Sequence, residues 1–151
     1  MTRRADDAAL VALASSTYVR LTTFRRDGTP VPTPVWVVAD RAELGGREND
    51  LLVTTGTGTG KAKRLRHTPR VLLAPCDARG RVAAGTEEVE AVAEVLTDPA
   101  AHERTRVLLV RKYPVGGRAL GLARRATVAL ARLRRRPPVP EATLRIRSAG
   151  A

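Results

Sequence analysis

The segment TPVPTPVWVVAD, residues 29–40, carries prolines at positions 30, 32 and 34. Proline donates no backbone hydrogen bond, so a strand with three of them at alternate positions lies at a sheet edge or turns one side away from any neighbour. Its partner stands just upstream. In TYVRLTTF, residues 17–24, Val19, Leu21 and Thr23 alternate with Tyr18, Arg20 and Thr22, the period of a strand with one buried face. RRDG between them ends in Asp27-Gly28, a strong hairpin signal. Residues 17–40 are thus predicted to form a hairpin whose proline side is left to something other than a strand.

The remaining elements follow from the same patterns. Asp6 and Asp7 precede Leu10, Val11 and Leu13, which predicts a short helix over 5–14 with acids near its positive end. RAELGGREND is a polar loop, LLVTT a short strand and RVLLAPCD a buried strand. Residues 87–96, EEVEAVAEVL, have helix-forming composition, but Val89, Ala91, Ala93 and Val95 alternate with Glu90, Val92 and Glu94, and a strand is preferred. Asp98-Pro99 starts a helix running through AAHERTRVLLVRKY. A second helical segment over 118–136 stops at Pro137 and Pro138, and ATLRIRS closes the chain as a strand with Leu144 and Ile146 inward. This order lacks regular βαβ alternation and fits an antiparallel or mixed barrel with helices outside. The fold class is therefore mainly β with flanking helices (α+β). One domain over 1–151 is expected, with a basic helical segment at about 99–136 and a final strand at about 142–148.

Cys76 is the single cysteine, which excludes an intramolecular disulfide, and no apolar run approaches the roughly 18 residues needed to span a bilayer. The start MTRRADDAALVALASS is interrupted by two aspartates and reads poorly as a signal peptide, so a cytoplasmic location is expected. The net charge of +12 invites a polyanion partner. Yet residues 101–151 hold thirteen of the bases against only Glu103 and Glu141, and aromatics are 3%, which leaves few platforms for stacking nucleic-acid bases. Arginine outnumbers lysine 24 to 3, as GC-rich coding often produces. Against that bias, two of the three lysines, Lys61 and Lys63, fall within one motif, TTGTGTGKAKRLRH. Ammonium and guanidinium groups are not equivalent ligands, so this placement points to a chemical demand.

Two phosphate-binding patterns fail there. A Walker loop needs Gly56 and Gly60 one residue further apart and a hydroxyl where Ala62 stands; a dinucleotide fingerprint needs glycine where Lys61 stands, inside a βαβ unit. A strand, a turn and a short helix beginning near Gly60 or Lys61 remain. Unpaired amides at a helix start favour an anion, and Thr57 and Thr59 add hydroxyls. Lys61 and Arg64, spaced i and i+3, share a face, Ala62 and Leu65 form a small apolar face, and Lys63 reaches toward the same anion. The segment is either a phosphate site or a solvated basic turn.

YVRLTTFRRDGTPVPTPVWVV, TTGTGTGKAKRLRHTPRVLLAPCDARGR, VRKY and LRIR resemble the actinobacterial branch of the pyridoxamine-phosphate-oxidase-like split β-barrel proteins, the deazaflavin (F420)-dependent oxidoreductases of class B type. The likeness spans roughly 17–81 and 104–147, while residues 82–98 depart from it. It implies an FMN-binding-protein-like split barrel and a homodimer with a flavin or deazaflavin near the subunit interface. Lys61, Lys63 and Arg64 would hold the cofactor phosphate, Thr55 and Thr59 would contribute hydroxyls, and Pro32, Thr33, Pro34, Val35 and Trp36 would run beside the ring. The implied reaction is hydride transfer between reduced F420 and a small unsaturated or carbonyl-containing molecule, with no catalytic residue assigned. FMN in the same fold, or a non-catalytic protein binding a cofactor or polyanion, is the alternative.

Other residues have ordinary readings beside the functional ones. Trp36 is core or ring-lining, and Tyr18 is packing or a proton donor. Cys76 is an inert thiol, His67 complements the end of the short helix with its charge, and His102 is a surface residue. Two histidines and one cysteine so far apart give no metal-ligand spacing. In 118–136, Arg118, Arg125 and Arg132 recur every seventh residue among Leu120, Leu122, Val128, Leu130 and Leu133. That is a basic amphipathic helix, read as a solvated face, a membrane-surface or nucleic-acid contact, or an attractor for an anionic cofactor tail.

Overall fold

A computed structural model describes residues 2–56, 58–114 and 141–150, with positions 122, 125, 126, 129, 130 and 133. Most of the helix predicted over 118–136, and Thr57, lie outside the described residues. In chain order the elements are β1 (Thr2–Arg4), α1 (Asp7–Ala14), β2 (Tyr18–Phe24), β3 (Pro30–Val35), β4 (Val38–Ala39), a 3-10 turn (Ala42–Leu44), β5 (Leu51–Gly56), α2 (Gly60–His67), β6 (Arg70–Cys76), β7 (Glu88–Leu96), α3 (Pro99–Lys112) and β8 (Glu141–Ser148).

The strands form one sheet in the order β3-β2-β6-β7-β8-β5-β4, antiparallel throughout, with β1 added in parallel against β7. The proline strand is an edge, as its missing donors demand. Its turn is set by Gly28 at φ 87°, with the amide of Arg25 donating to the carbonyl of Thr29 at 2.9 Å. The single strand predicted over 29–40 is in fact two. β3 pairs with β2 and β4 with β5, at opposite ends of the strand order, and only Trp36 and Val37 separate them. Two residues reach only about 7 Å. The sheet must therefore curl until its edges nearly meet, which makes a split barrel with flanking helices, the α+β class predicted.

The barrel interior is filled by alternate residues of the strands, among them Val19, Leu21, Val71, Leu73, Leu144 and Ile146, each 0% exposed. Leu10 and Leu13 of α1 and Leu65 of α2 join that cluster. β7 takes its strand form because Val89, Ala91 and Ala93 supply small inward residues, and register with β6 and β8 outweighs local helix propensity. On the outer face α3 lays Leu108 and Leu109 on Val38 and Leu52, with Trp36, Leu44 and Tyr113 at the margin.

Two polar devices lock α3 to the barrel. Buried Asp40 accepts Arg104 Nε at 2.8 Å and the amides of Arg41 and Arg47. Residue 46 must be glycine, because a Cβ there would lie 1.9 Å from Asp40 Oδ1. At the other end, Lys112 Nζ donates to the carbonyls of Ala14, Ser16 and Val37 at 2.7, 2.8 and 2.7 Å, tying α1, β2 and the β3–β4 crossing together. Burial pushes the Lys112 ammonium down to about 8.

Candidate functional site

β5 delivers the chain to the turn before α2, and Thr59 caps that helix. Its hydroxyl accepts the amide of Ala62 at 3.3 Å and donates to the carbonyl of Gly56 at 2.8 Å. Thr55 Oγ1 stands 2.9 Å from Thr59 Oγ1. Because the Thr59 proton goes to Gly56, Thr55 is the donor in that pair. Both hydroxyl protons are thereby committed inside the turn. The threonines shape the helix start, and the donors left for an anion are cations and backbone amides. The amides of Gly60 and Lys61, at the first helical positions, have no acceptor among the described residues.

Arg64 folds back over this helix start. Its Nε donates to Thr23 Oγ1 of β2 at 2.7 Å, and its Nη1 lies 2.6 Å from where a Gly60 Cβ would stand. Gly60 thus leaves room for the guanidinium, while Thr23, fully buried, fixes its direction. Lys61 is half-buried beside it and has neither hydrogen bond nor ion pair among the described residues. Burial, and secondarily the Arg64 charge, push the Lys61 ammonium below its ordinary value. Arg64 is itself pushed down by burial and by Arg25. Lys63 is exposed, and Ala62 and Leu65 are buried as the spacing predicted.

Register locates the strand residues. Thr23 pairs with Val31 and Leu21 with Thr33, so Val31, Thr33 and Val35 share the face of β3 that continues the face of Thr23 and therefore of Arg64. Thr33 Oγ1 is buried with no hydrogen-bond partner. Pro32 and Pro34 lie on the opposite, exposed face. Trp36 stacks on Tyr113, ring centroids 4.5 Å apart and 10° from parallel, at the far end of the strand. The fold thus brings together Thr55, Thr59, Lys61, Arg64 and, on one continuous face, Thr33 and Val35, and it sets Pro32, Pro34 and Trp36 apart from them.

Several side chains differ from their sequence readings. His67 ends α2, but Arg26 Nη2 lies 3.0 Å from its Nε2, and a guanidinium only donates, so that nitrogen is an acceptor and not a charged cap. His102 is half-buried, with Nδ1 2.9 Å from Thr143 Oγ1. Cys76 is half-buried, and burial with the neighbouring Asp77 pushes its thiol up. Sequence reasoning missed Thr23 and the anchoring by Lys112 and Tyr113, whose hydroxyl donates to the carbonyl of Thr17 at 2.6 Å. One signal was there: Lys112 is the sole lysine outside the motif in an arginine-rich chain.

No group of three potential metal ligands occurs among the described residues. Surface depressions of about 360 Å³ beside Pro69 and Val95 and about 490 Å³ beside Pro75 and Val82 lie away from Lys61. The cations therefore stand at an open surface of the single chain rather than inside a closed cavity.

The family model for pyridoxamine 5'-phosphate oxidase matches residues 5–133. Among solved structures, a Listeria innocua protein with a provisional pyridoxamine 5'-phosphate oxidase assignment is 16% identical, with TM-score 0.58, covering 95% of this chain and 92% of that one. A protein named F420 reductase is 19% identical, TM-score 0.54, with 91% of each chain covered. The heme storage protein of Vibrio cholerae is 10% identical, TM-score 0.57, covering 96% of this chain and 90% of that one. No curated protein matches. At these identities the structures share the fold, and their separate activities belong to side chains placed on it.

Proposed function

The chain belongs to the pyridoxamine 5'-phosphate oxidase family, and from that premise we propose that it is an F420-dependent oxidoreductase. In this reading it passes a hydride between reduced F420 and a small unsaturated or carbonyl-containing molecule. The observation that carries the proposal is Lys61. A half-buried ammonium with no acceptor, pressed against a second cation, is unfavourable in the free protein and becomes favourable when an anion binds between them.

The residues present fit a phosphate-bearing ring cofactor. Lys61 and Arg64 hold the phosphate with the amides of Gly60 and Lys61, and Lys63 approaches from the solvent side. Thr23 keeps Arg64 aimed, and Thr55 and Thr59 keep the helix start in place. Thr33, whose hydroxyl lacks a partner, reads a polar edge of the ring, and Val35 packs beside it. Pro32 and Pro34 keep β3 a margin, so that no further strand covers the groove, and Trp36 with Tyr113 walls its far end. A second copy of the chain closes the open side. When bound, F420 supplies two-electron hydride chemistry from C5 of its ring, and the protein supplies position, charge and exclusion of water. The neighbour named F420 reductase supports the deazaflavin over FMN.

Fluorescence titration with F420 and with FMN at low and moderate salt tests the reading. F420 is expected to bind more tightly. Lys61→Ala with Lys63→Ala should lose at least about tenfold in affinity, since one charge-assisted bond contributes about 1.5–3 kcal/mol. Tighter FMN binding selects the flavin alternative. Unchanged affinity in the double variant removes the site.

A further inference from the structure

A second surface, independent of the cofactor reading, lies in the C-terminal third. Positions 122, 125, 126, 129, 130 and 133 are helical and exposed. At about 100° per residue they fall within one sector of about 140°. Five of the six are apolar: Leu122, Ala126, Ala129, Leu130 and Leu133. The leucines are 66%, 49% and 82% exposed, and Val11 is the only other large hydrophobic so exposed among the described residues. A helix packing on its own barrel turns such a stripe inward, as α3 does with Leu108 and Leu109. Here the stripe faces out, and contiguous exposed apolar surface marks a contact site.

The charge around the stripe selects the partner. Arg125 is exposed at its margin. In the sequence, arginines recur seven residues to either side, at 118 and 132, and residues 118–136 hold seven arginines and no acid. That seven-residue spacing follows one flank of a helix. Leucines facing outward with arginines along one side match the boundary between acyl chains and phosphate headgroups. A second copy would bring two acid-free arginine strips together. Nucleic acid would pair with the arginines and leave the leucines in water. We propose that this sector docks the protein on an anionic lipid bilayer, lying in the interface. It does not cross, since no helix among the described residues is long and apolar enough.

Co-sedimentation of the full chain with vesicles tests this. Vesicles of equal parts phosphatidylglycerol and phosphatidylcholine should hold the protein at least about tenfold more tightly than phosphatidylcholine alone, with the difference shrinking in high salt. Leu122→Ser, Leu130→Ser and Leu133→Ser together should lower binding to the mixed vesicles by about tenfold or more, while the far-ultraviolet spectrum and F420 affinity stay at parent values. Equal binding of the parent to both vesicles overturns the proposal without any variant. So does full retention of lipid binding in the triple variant, which would make the attraction charge alone. Conversion of a parent dimer to a monomer by the three serines assigns the stripe to a second copy, and duplex DNA that displaces the parent from vesicles and binds the triple variant equally well assigns the surface to nucleic acid; both overturn it.

Discussion

Lys61→Met should move stability and affinity in opposite directions. The substitution keeps the aliphatic stem over the barrel end and deletes an ammonium that is half-buried, unpaired among the described residues and beside Arg64. In the free protein it removes a desolvation cost and a repulsion between like charges three residues apart, together about 0.5–1 kcal/mol. For a chain of this size that raises the melting midpoint by about 1–4 °C. In the bound protein it removes a charge-assisted contact of about 1.5–3 kcal/mol, so affinity falls about ten- to a hundredfold. Urea unfolding followed by the single tryptophan, Trp36, reads the first effect, and cofactor titration reads the second. The pH dependence carries a sign. The folded-state value of Lys61 is lowered from 10.5, so its penalty is present while it is charged and is relieved as pH rises through the lowered value toward 10.5. The stability gap between variant and parent should close over that window. Anion affinity of the parent should fall over the same range. A free variant less stable than its parent would show that Lys61 has a structural partner, and an unchanged affinity would show that no anion seats there.

Lys112→Met leaves the carbonyls of Ala14, Ser16 and Val37 without their donor and should destabilise the protein by at least about 2 kcal/mol in urea. Lys112→Arg should not restore it, because a planar fork does not address three converging carbonyls as an ammonium does. Thr33→Val replaces an orphaned hydroxyl by a methyl, so urea stability should hold or rise by up to about 1 kcal/mol while F420 affinity drops several-fold. Gly46→Ala drives a Cβ into Asp40 and breaks its bonds to Arg104, Arg41 and Arg47; a loss of about 3 kcal/mol or more is expected from denaturation curves.

What could be read locally in the sequence was what a few neighbouring residues decide. Alternation gave β2, β7 and β8, the prolines gave an edge, and Thr59 with the Lys61/Arg64 spacing gave the start and face of α2. Other features depend on distant partners. The break at Trp36 and Val37 exists because the sheet closes on itself, and nothing within 29–40 records that the strand changes neighbours there. β1 is three residues with no apolar pattern, held by pairing with Glu88–Glu90. Thr23 and Arg64 are 41 positions apart, and Lys112 reaches carbonyls 75 to 98 positions away. His102 looked solitary only because Thr143 is contributed by the last strand.

The threonines of the turn show how identity and role separate. Resemblance places Thr55 and Thr59 among the residues that meet the cofactor, and chemistry makes hydroxyls plausible donors. In the folded chain one proton goes to the Gly56 carbonyl and the other to a neighbouring oxygen, and Thr59 also accepts the Ala62 amide. A hydroxyl that donates once has no second proton, so an anion at the helix start gains nothing from either group unless the turn opens. What the pair provides is orientation. It directs the amides of Gly60 and Lys61 outward, at the end where Thr23 already holds the guanidinium of Arg64. Binding strength then resides in charge and backbone, and the hydroxyls determine where that charge is felt. Thr59→Ala should accordingly weaken cofactor binding through loss of a helix cap of about 1 kcal/mol, and Thr59→Ser, which keeps the cap, should bind as the parent does in the same titration. A serine variant that binds as poorly as the alanine variant would contradict this division of labour.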